Sequence, residues 1–208
     1  MIRELELRYF ALELYIKLNK KKIIVFASGS GSNFEEICKY FKVNKQISID
    51  LLVCNNSKAK ALNKAKAYGI KTLLITREGF YKTDSVLNAI LKTTPDLIVL
   101  AGFLWKVPTK IIERFPNKII NIHPALLPDY GGKGMYGMRV HKAVIENNET
   151  ESGITIHYVN KNYDEGQILF QKAIALDEKE SSESLSRKVL KLEHSCFPEV
   201  IEKTLMNG

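Results

Sequence analysis

From residue 22 onward, short apolar runs alternate with amphipathic stretches at nearly regular spacing. Residues 22–28 (KIIVFAS) are rich in β-branched side chains, the pattern of a strand covered on both faces. Gly29-Ser30-Gly31 turns the chain, and Ser32-x-x-Glu35 reads as a capping box opening a helix over 32–41. A second strand is predicted over 48–54. The Ala/Lys-rich stretch 58–68 predicts a helix, stopped by Gly69 where a left-handed residue is favoured. A short strand over 71–75 and a helix over 83–93 follow. Pro95 precedes another buried strand, 96–100, ended by Ala101-Gly102, and a short helix over 108–115 comes next. The next apolar run, Ile119-Ile120-Asn121-Ile122-His123-Pro124, delivers an amide and an imidazole at its end.

Strand–helix alternation of this kind implies a parallel sheet with right-handed crossovers. After the loop 129–137 and a helix over 139–147 the texture changes. Residues 153–160 (GITIHYVN) and 167–176 read as two longer strands joined by a short connection, which favours an antiparallel or mixed edge. Helices over 182–194 and 198–206 close the chain. The expected fold is a single doubly wound, Rossmann-like α/β domain over residues 21–208, its sheet mostly parallel with an antiparallel C-terminal edge. Residues 1–20 stand apart. Leu5, Leu12, Tyr15 and Ile16 set against Glu4, Glu6, Glu13 and Lys17 predict a short amphipathic helical extension.

Composition narrows the class of function. A chain of 208 residues suffices for one sizeable domain. The net charge of +8 is spread along helix faces. It does not demand nucleic acid, and an anionic small substrate suits the same sign. Cys38, Cys54 and Cys196 are odd in number, far apart and without metal-ligand spacing, as in a reduced cytoplasmic protein that binds no metal. No stretch reaches the length of a membrane span, and glutamates interrupt any signal-like run near the start.

Ligands of open α/β sheets sit outside the carboxyl ends of the strands. The Gly29–Asn33 turn, the 101–107 loop, Asn121 with His123, and the 129–137 loop all fall there. Asn121 and His123 are two residues apart and so share one face of an extended strand, a donor beside a titratable ring suited to polarising a carbonyl. Gly29-Ser30-Gly31-Ser32-Asn33 joins a strand to a helix, which makes it either a tight turn or an anion site fed by backbone N–H groups and the helix dipole. Phe34 stands where a dinucleotide fingerprint needs its third glycine, and Cys54-Asn55-Asn56 where it needs an acid; no Gly-Lys-Ser/Thr follows. Asp164-Glu165-Gly166 reads as a turn. Folded over the sheet edge, it would bring Asp164 to His123 and raise the imidazole's pKa. The three side chains would then suit acyl transfer to an amine. Amide and imidazolium would hold the tetrahedral oxyanion while the carboxylate received the amine's proton. No nucleophile motif is present, so direct transfer is expected.

With these residues in view, the sequence resembles the folate-dependent phosphoribosylglycinamide formyltransferases over some nine-tenths of its length. The resemblance rests on Gly29-Ser-Gly-Ser-Asn33, Leu100-Ala-Gly-Phe103, Asn121-Ile-His-Pro-Ala-Leu-Leu-Pro128, Asp164-Glu-Gly166 and Glu193-His194, in that order. It implies 10-formyltetrahydrofolate as co-substrate and Asn121, His123 and Asp164 as the catalytic set. It implies that Gly31, Ser32 and Asn33 hold the substrate phosphate and that Glu193 reaches the glycinamide-ribose portion. Leu104, Trp105, Lys106 and Val107, with Asn121, match the pterin-lining part. Trp105 and Lys106 depart from the Met-Arg-Ile-Leu found in many relatives, which points to backbone rather than side-chain recognition. Lys82 is a candidate for the folate glutamate tail, or else a solvated lysine at a helix start. The glycine-rich stretch 131–137 is a lid over the reaction centre or an ordinary flexible loop.

Three other readings keep parts of this picture. Methionyl-tRNA formyltransferases share the Asn-x-His…Asp set but call for a further C-terminal domain, whereas this chain ends at Gly208. Formyltetrahydrofolate hydrolases carry an N-terminal regulatory domain, for which twenty residues are too few. A nonenzymatic folate- or phosphate-binding module would not need all three catalytic side chains. The expectation is therefore a transferase acting on small molecules, a monomer or weak homodimer without nucleic-acid or membrane partners.

Overall fold

A computed structural model describes Arg8, Phe10 and residues 20–206. The helical extension expected over 1–20 lies almost entirely outside the described residues.

The elements run in the order β1 (Lys21–Ala27), α1 (Ser32–Phe41), β2 (Ile47–Cys54), α2 (Lys60–Ala67), β3 (Lys71–Leu74), α3 (Arg77–Tyr81), α4 (Ser85–Thr93), β4 (Leu97–Leu100), α5 (Thr109–Arg114) and β5 (Ile119–His123). Then come α6 (Met138–Glu146), β6 (Glu151–Tyr158), β7 (Ile168–Ala175) and α7 (Ser182–Met206). They build one sheet of order β3-β2-β1-β4-β5-β6-β7. Strands β3 to β5 are parallel, while β6 and β7 add antiparallel ladders, the edge that the short 161–166 connection implied.

Period-two alternation sorts the central strands onto two cores. Ile23, Val25 and Ala27 of β1 face a layer formed by α1, α2 and α7, where Phe34, Ala61 and Phe197 are fully buried. Ile24 and Phe26 face the opposite layer, packed with Phe80, Ile90 and Ile111 from α3, α4 and α5. Helices on both faces explain why these strands read as continuous apolar runs. The chain winds outward from β1 to β3 and then returns to β4 on the other side. That reversal opens a crevice at the carboxyl ends of β1 and β4. Two bonds knit its floor: the Ser28 N–H donates to the Gly102 carbonyl at 3.1 Å and the Leu104 N–H to Ser28 Oγ at 2.9 Å.

Several local expectations need correction. The capping box does not form. Gly31 is the cap residue, with φ +65°, and no side chain bonds the first turn of α1; Glu35 turns instead to Lys64 at 2.7 Å. The strong Lys64 charge outcompetes a backbone N–H for the carboxylate. A short helix, α3, precedes the expected 83–93 helix, which starts at Ser85. Thr76 caps α3, its Oγ1 accepting from the Gly79 N–H at 3.1 Å, a signal hidden by the unpatterned sequence around it. The two C-terminal helices are one, α7, with Pro198 inside it. An interior proline costs about 3 kcal/mol. Phe197, Val200, Ile201 and Leu205 continue the buried stripe begun by Leu185 and Val189, and each contributes about 1.5–3 kcal/mol on burial. Packing wins. The stop at Gly69 does appear: its φ is +67°, and the Gly69 and Ile70 N–H groups close back on Lys66 and Ala65. Among the described residues no helix is long and apolar enough to cross a membrane.

Candidate active site

A cavity of about 440 Å³ occupies the crevice. Its lining includes the Gly29–Asn33 turn, the 100–107 segment, Asn121, His123, Asp164 and Glu193. Five separate stretches of sequence therefore meet around one space.

Strand β5 ends at Asn121 and His123, and its exit is held from beneath. Thr155, fully buried in β6, donates to the Ala125 carbonyl at 2.7 Å and accepts from the Leu127 N–H at 3.0 Å. Gln171 of β7 also donates to the Leu127 carbonyl and to Thr155 Oγ1, at 2.9 Å each. The Pro-Ala-Leu-Leu-Pro segment is thus a bonded corner that fixes where His123 points.

His123 is 3% exposed. Its Nε2 lies 2.8 Å from the Tyr130 carbonyl, which can only accept, so the ring proton resides there. That leaves Nδ1 facing Asp164 Oδ2 at 3.7 Å, an electrostatic contact beyond direct hydrogen-bond reach. Proximity to Asp164 was expected to raise the imidazole's pKa, but the direction is reversed. Burial disfavours the cation more than Asp164 and the Tyr130 carbonyl favour it, so the pKa falls below the ordinary histidine value. His123 rests neutral at neutral pH.

Asp164 adopts φ +55°, a left-handed turn conformation that Asp tolerates, and Gly166 two residues on is sterically required. A Cβ at Gly166 would stand 1.6 Å from the Tyr158 carbonyl oxygen. Burial pushes the Asp164 carboxyl up. Against it act the neighbouring His157 and His123 imidazoles and the Gly132 N–H donating at 2.9 Å, and together they hold it below the usual carboxylate range. Asp164 remains an anion between two imidazoles. The Gly132 bond also ties the glycine-rich loop to the same carboxylate.

His157 was missed in the sequence. In the β5–β6 register it stands opposite Asn121. Its Nδ1 donates to the Tyr158 carbonyl at 2.9 Å, so in the neutral ring Nε2 accepts from Asn121 Nδ2 at 3.2 Å. The same Nε2 is 3.6 Å from Asp164 Oδ1. Asn121 has a second amide N–H left for the cavity. The available signal was a histidine at an inward position of an alternating strand, legible only once its partner strand was known. His141 on α6 was missed too. It is 4% exposed, lines the cavity, and is pushed down to about 4 by burial and the His123 charge.

Across the cavity, Asn33 is 8% exposed and donates from Nδ2 to Glu193 Oε2 at 2.6 Å. Burial pushes the Glu193 carboxyl up to about 7, opposed by that bond. The structure thus brings Gly31, Ser32, Asn33 and Glu193 together at one end. The 104–107 segment lines another side, where Trp105 packs 6.0 Å from Phe80 and 6.3 Å from Phe103, with the Arg77 guanidinium 5.0 Å above it. Lys106 lies 4.8 Å over the Tyr163 ring, Leu104 is 58% exposed, and Val107 is core. Lys82 is exposed at the C-terminal cap of α3 rather than at a helix start, and it is outside the cavity lining.

Known proteins resemble the chain in sequence and in fold. The formyl transferase family model matches residues 21–201. The chain is 40% identical over 190 residues to the chloroplastic phosphoribosylglycinamide formyltransferase of Arabidopsis thaliana, covering 88% of this chain and 64% of that protein. The corresponding Vigna unguiculata protein is covered to 62%, so the chain spans less than two thirds of these plant relatives. It is 36% identical to the phosphoribosylglycinamide formyltransferase of Bacillus subtilis, covering 89% of this chain and 95% of that one. Among solved structures, the phosphoribosylglycinamide formyltransferase of Anaplasma phagocytophilum superimposes with a TM-score of 0.82 at 30% identity, over 89% of this chain and 87% of that one.

Proposed function

The chain belongs to the formyl transferase family, and from that premise we propose that it transfers a formyl group from 10-formyltetrahydrofolate to the amine of N1-(5-phosphoribosyl)glycinamide, in purine (IMP) biosynthesis. One observation carries the reading. Asn121, His123 and Asp164 line the same cavity as a helix N-terminus suited to phosphate.

The phosphate sits on the Gly31–Asn33 turn, Glu193 contacts the ribose-glycinamide portion, and the folate lies along Leu104–Val107. The amine attacks the formyl carbon and its carbonyl oxygen becomes an oxyanion. Asn121 donates its free N–H to that oxygen. His123 starts neutral with a lone pair on Nδ1. As the attacking nitrogen becomes ammonium-like, its proton passes to the His123–Asp164 side, directly or through water. The Asp164 carboxylate steadies the imidazolium that forms, and that cation supports the oxyanion. Collapse expels N10 of tetrahydrofolate, which takes the proton back. Formyl leaves one nitrogen and joins another, and no covalent enzyme intermediate is needed. Both partners are small molecules, and the buried free thiols of Cys38, Cys54 and Cys196 support a reducing compartment.

Following tetrahydrofolate release with and without phosphoribosylglycinamide tests the assignment. Turnover that depends on the acceptor is expected. Equal turnover without it would instead mark a hydrolase.

A further inference from the structure

The mechanism leaves one buried contact unused. Helix α2 is pressed against the Gly29–Asn33 turn and contributes no residue to the cavity lining. The Ala61 N–H donates to the Gly29 carbonyl at 3.2 Å, and a Cβ at Gly31 would stand 2.7 Å from Ala61 Cβ. One turn further along α2, Lys64 Nζ donates to the Gly31 carbonyl at 3.3 Å and pairs with Glu35 Oε2 at 2.7 Å. Lys64 and Glu35 are only 25% and 33% exposed at their side chains.

We infer that Lys64 is a positioning residue for the substrate phosphate, acting through the Gly31 carbonyl and the Glu35 carboxylate. The inference rests on the phosphate being bound at this turn. Gly31 is the cap of α1, and its carbonyl accepts from both Lys64 and the Glu35 N–H, the latter at 3.0 Å. Held this way, it points along the helix, so the first-turn N–H groups are what the turn presents to an anion. Glu35 is an acid in that same first turn and would repel a phosphate dianion. The Lys64 ammonium holds the Glu35 carboxyl below its usual range and at the same time neutralises it. A second feature at the turn also points to a ligand. Asn33 is 92% buried, lines the cavity, and its Oδ1 has no hydrogen-bond partner, an acceptor that fits a donor on the rest of the phosphate-bearing substrate, such as a ribose hydroxyl.

The experiment uses inorganic phosphate as the probe, with binding followed by calorimetry, alongside steady-state kinetics on the full chain. Lys64→Met is expected to weaken phosphate binding and raise KM for phosphoribosylglycinamide by about tenfold each, the usual worth of a charge-assisted bond at a partly exposed site, while kcat changes far less. Lys64→Arg should keep most of the affinity. Glu35→Gln should tighten phosphate by about threefold on its own, and should restore part of the loss when combined with Lys64→Met. Glu35→Gln also decides the matter if Lys64→Met does not fold. Unchanged phosphate affinity in Lys64→Met, with only lower resistance to urea, would reduce Lys64 to a helix-docking residue and overturn the inference. A wild-type chain that binds no phosphate overturns it as well. Lys64-dependent phosphate binding without formyl transfer to phosphoribosylglycinamide would instead sink the proposed function and leave this inference standing.

Discussion

Replacing Asp164 by asparagine removes one negative charge while keeping the shape of the side chain and an acceptor for the Gly132 N–H. In the native site that charge lies 3.7 Å from His123 Nδ1, with the two side chains 13% and 4% exposed. At an effective dielectric of roughly 20, a unit pair at that distance interacts by about 4 kcal/mol, equivalent to about 3 pH units. Solvent reaching Asp164 reduces this interaction, and a downward shift of the His123 pKa is expected. The sign follows from the opposing causes. Burial already lowers the His123 pKa and Asp164 partly restores it, so losing Asp164 lowers it further. Since the reaction begins with neutral His123, the acid limb of kcat/KM should move to lower pH in Asp164→Asn. The plateau should fall by at least about 100-fold, because the imidazolium formed during attack loses its counter-charge. Formyl transfer measured from about pH 5 to 9 gives both quantities. An acid limb that stays in place or moves upward would refute the reasoning.

Other substitutions probe the supports of the site. Thr155→Val leaves the Leu127 N–H without its buried acceptor; it should cost about 1–3 kcal/mol in urea unfolding and lower kcat by loosening the corner after His123. Gly31→Ala forces a Cβ into Ala61 at φ +65°, and a loss of about 2 kcal/mol with weakened phosphate binding is expected. His141 binds its proton less readily folded than unfolded, so stability should decline as pH falls from about 6.5 and level off only below the folded value of about 4. His141→Asn should flatten that decline by up to about 3 kcal/mol, and an unchanged pH–stability curve would show that the ring is not kept neutral by burial.

Most of the scaffold is written in local pattern. Apolar β-branched runs such as 22–28 and 119–123 declare themselves because both faces are covered, and Gly69 marks a helix end by its left-handed conformation. What escaped notice depends on partners distant in sequence. Pro198 stays inside a helix because Phe197, Val200 and Ile201 continue a stripe whose worth is set by the core they meet. Glu35 leaves its expected cap because Lys64, from another helix, reaches it. Of the site, Asn121 and His123 were legible together because one strand carries both. His157 became visible only through the antiparallel register that sets it opposite Asn121. The direction of the His123 shift was not legible at all, since a charge contact can be guessed from spacing whereas desolvation depends on the whole enclosure.

The central claim is that Asn121 and His123 act on a formyl carbon held beside an amine substrate. Its most direct test is the rate of phosphoribosylglycinamide-dependent formyl transfer in Asn121→Ala and His123→Ala, with cooperative unfolding checked in parallel. Loss of turnover by at least about 100-fold in each variant, with the fold intact, is the predicted result. Near-normal turnover in both would contradict it.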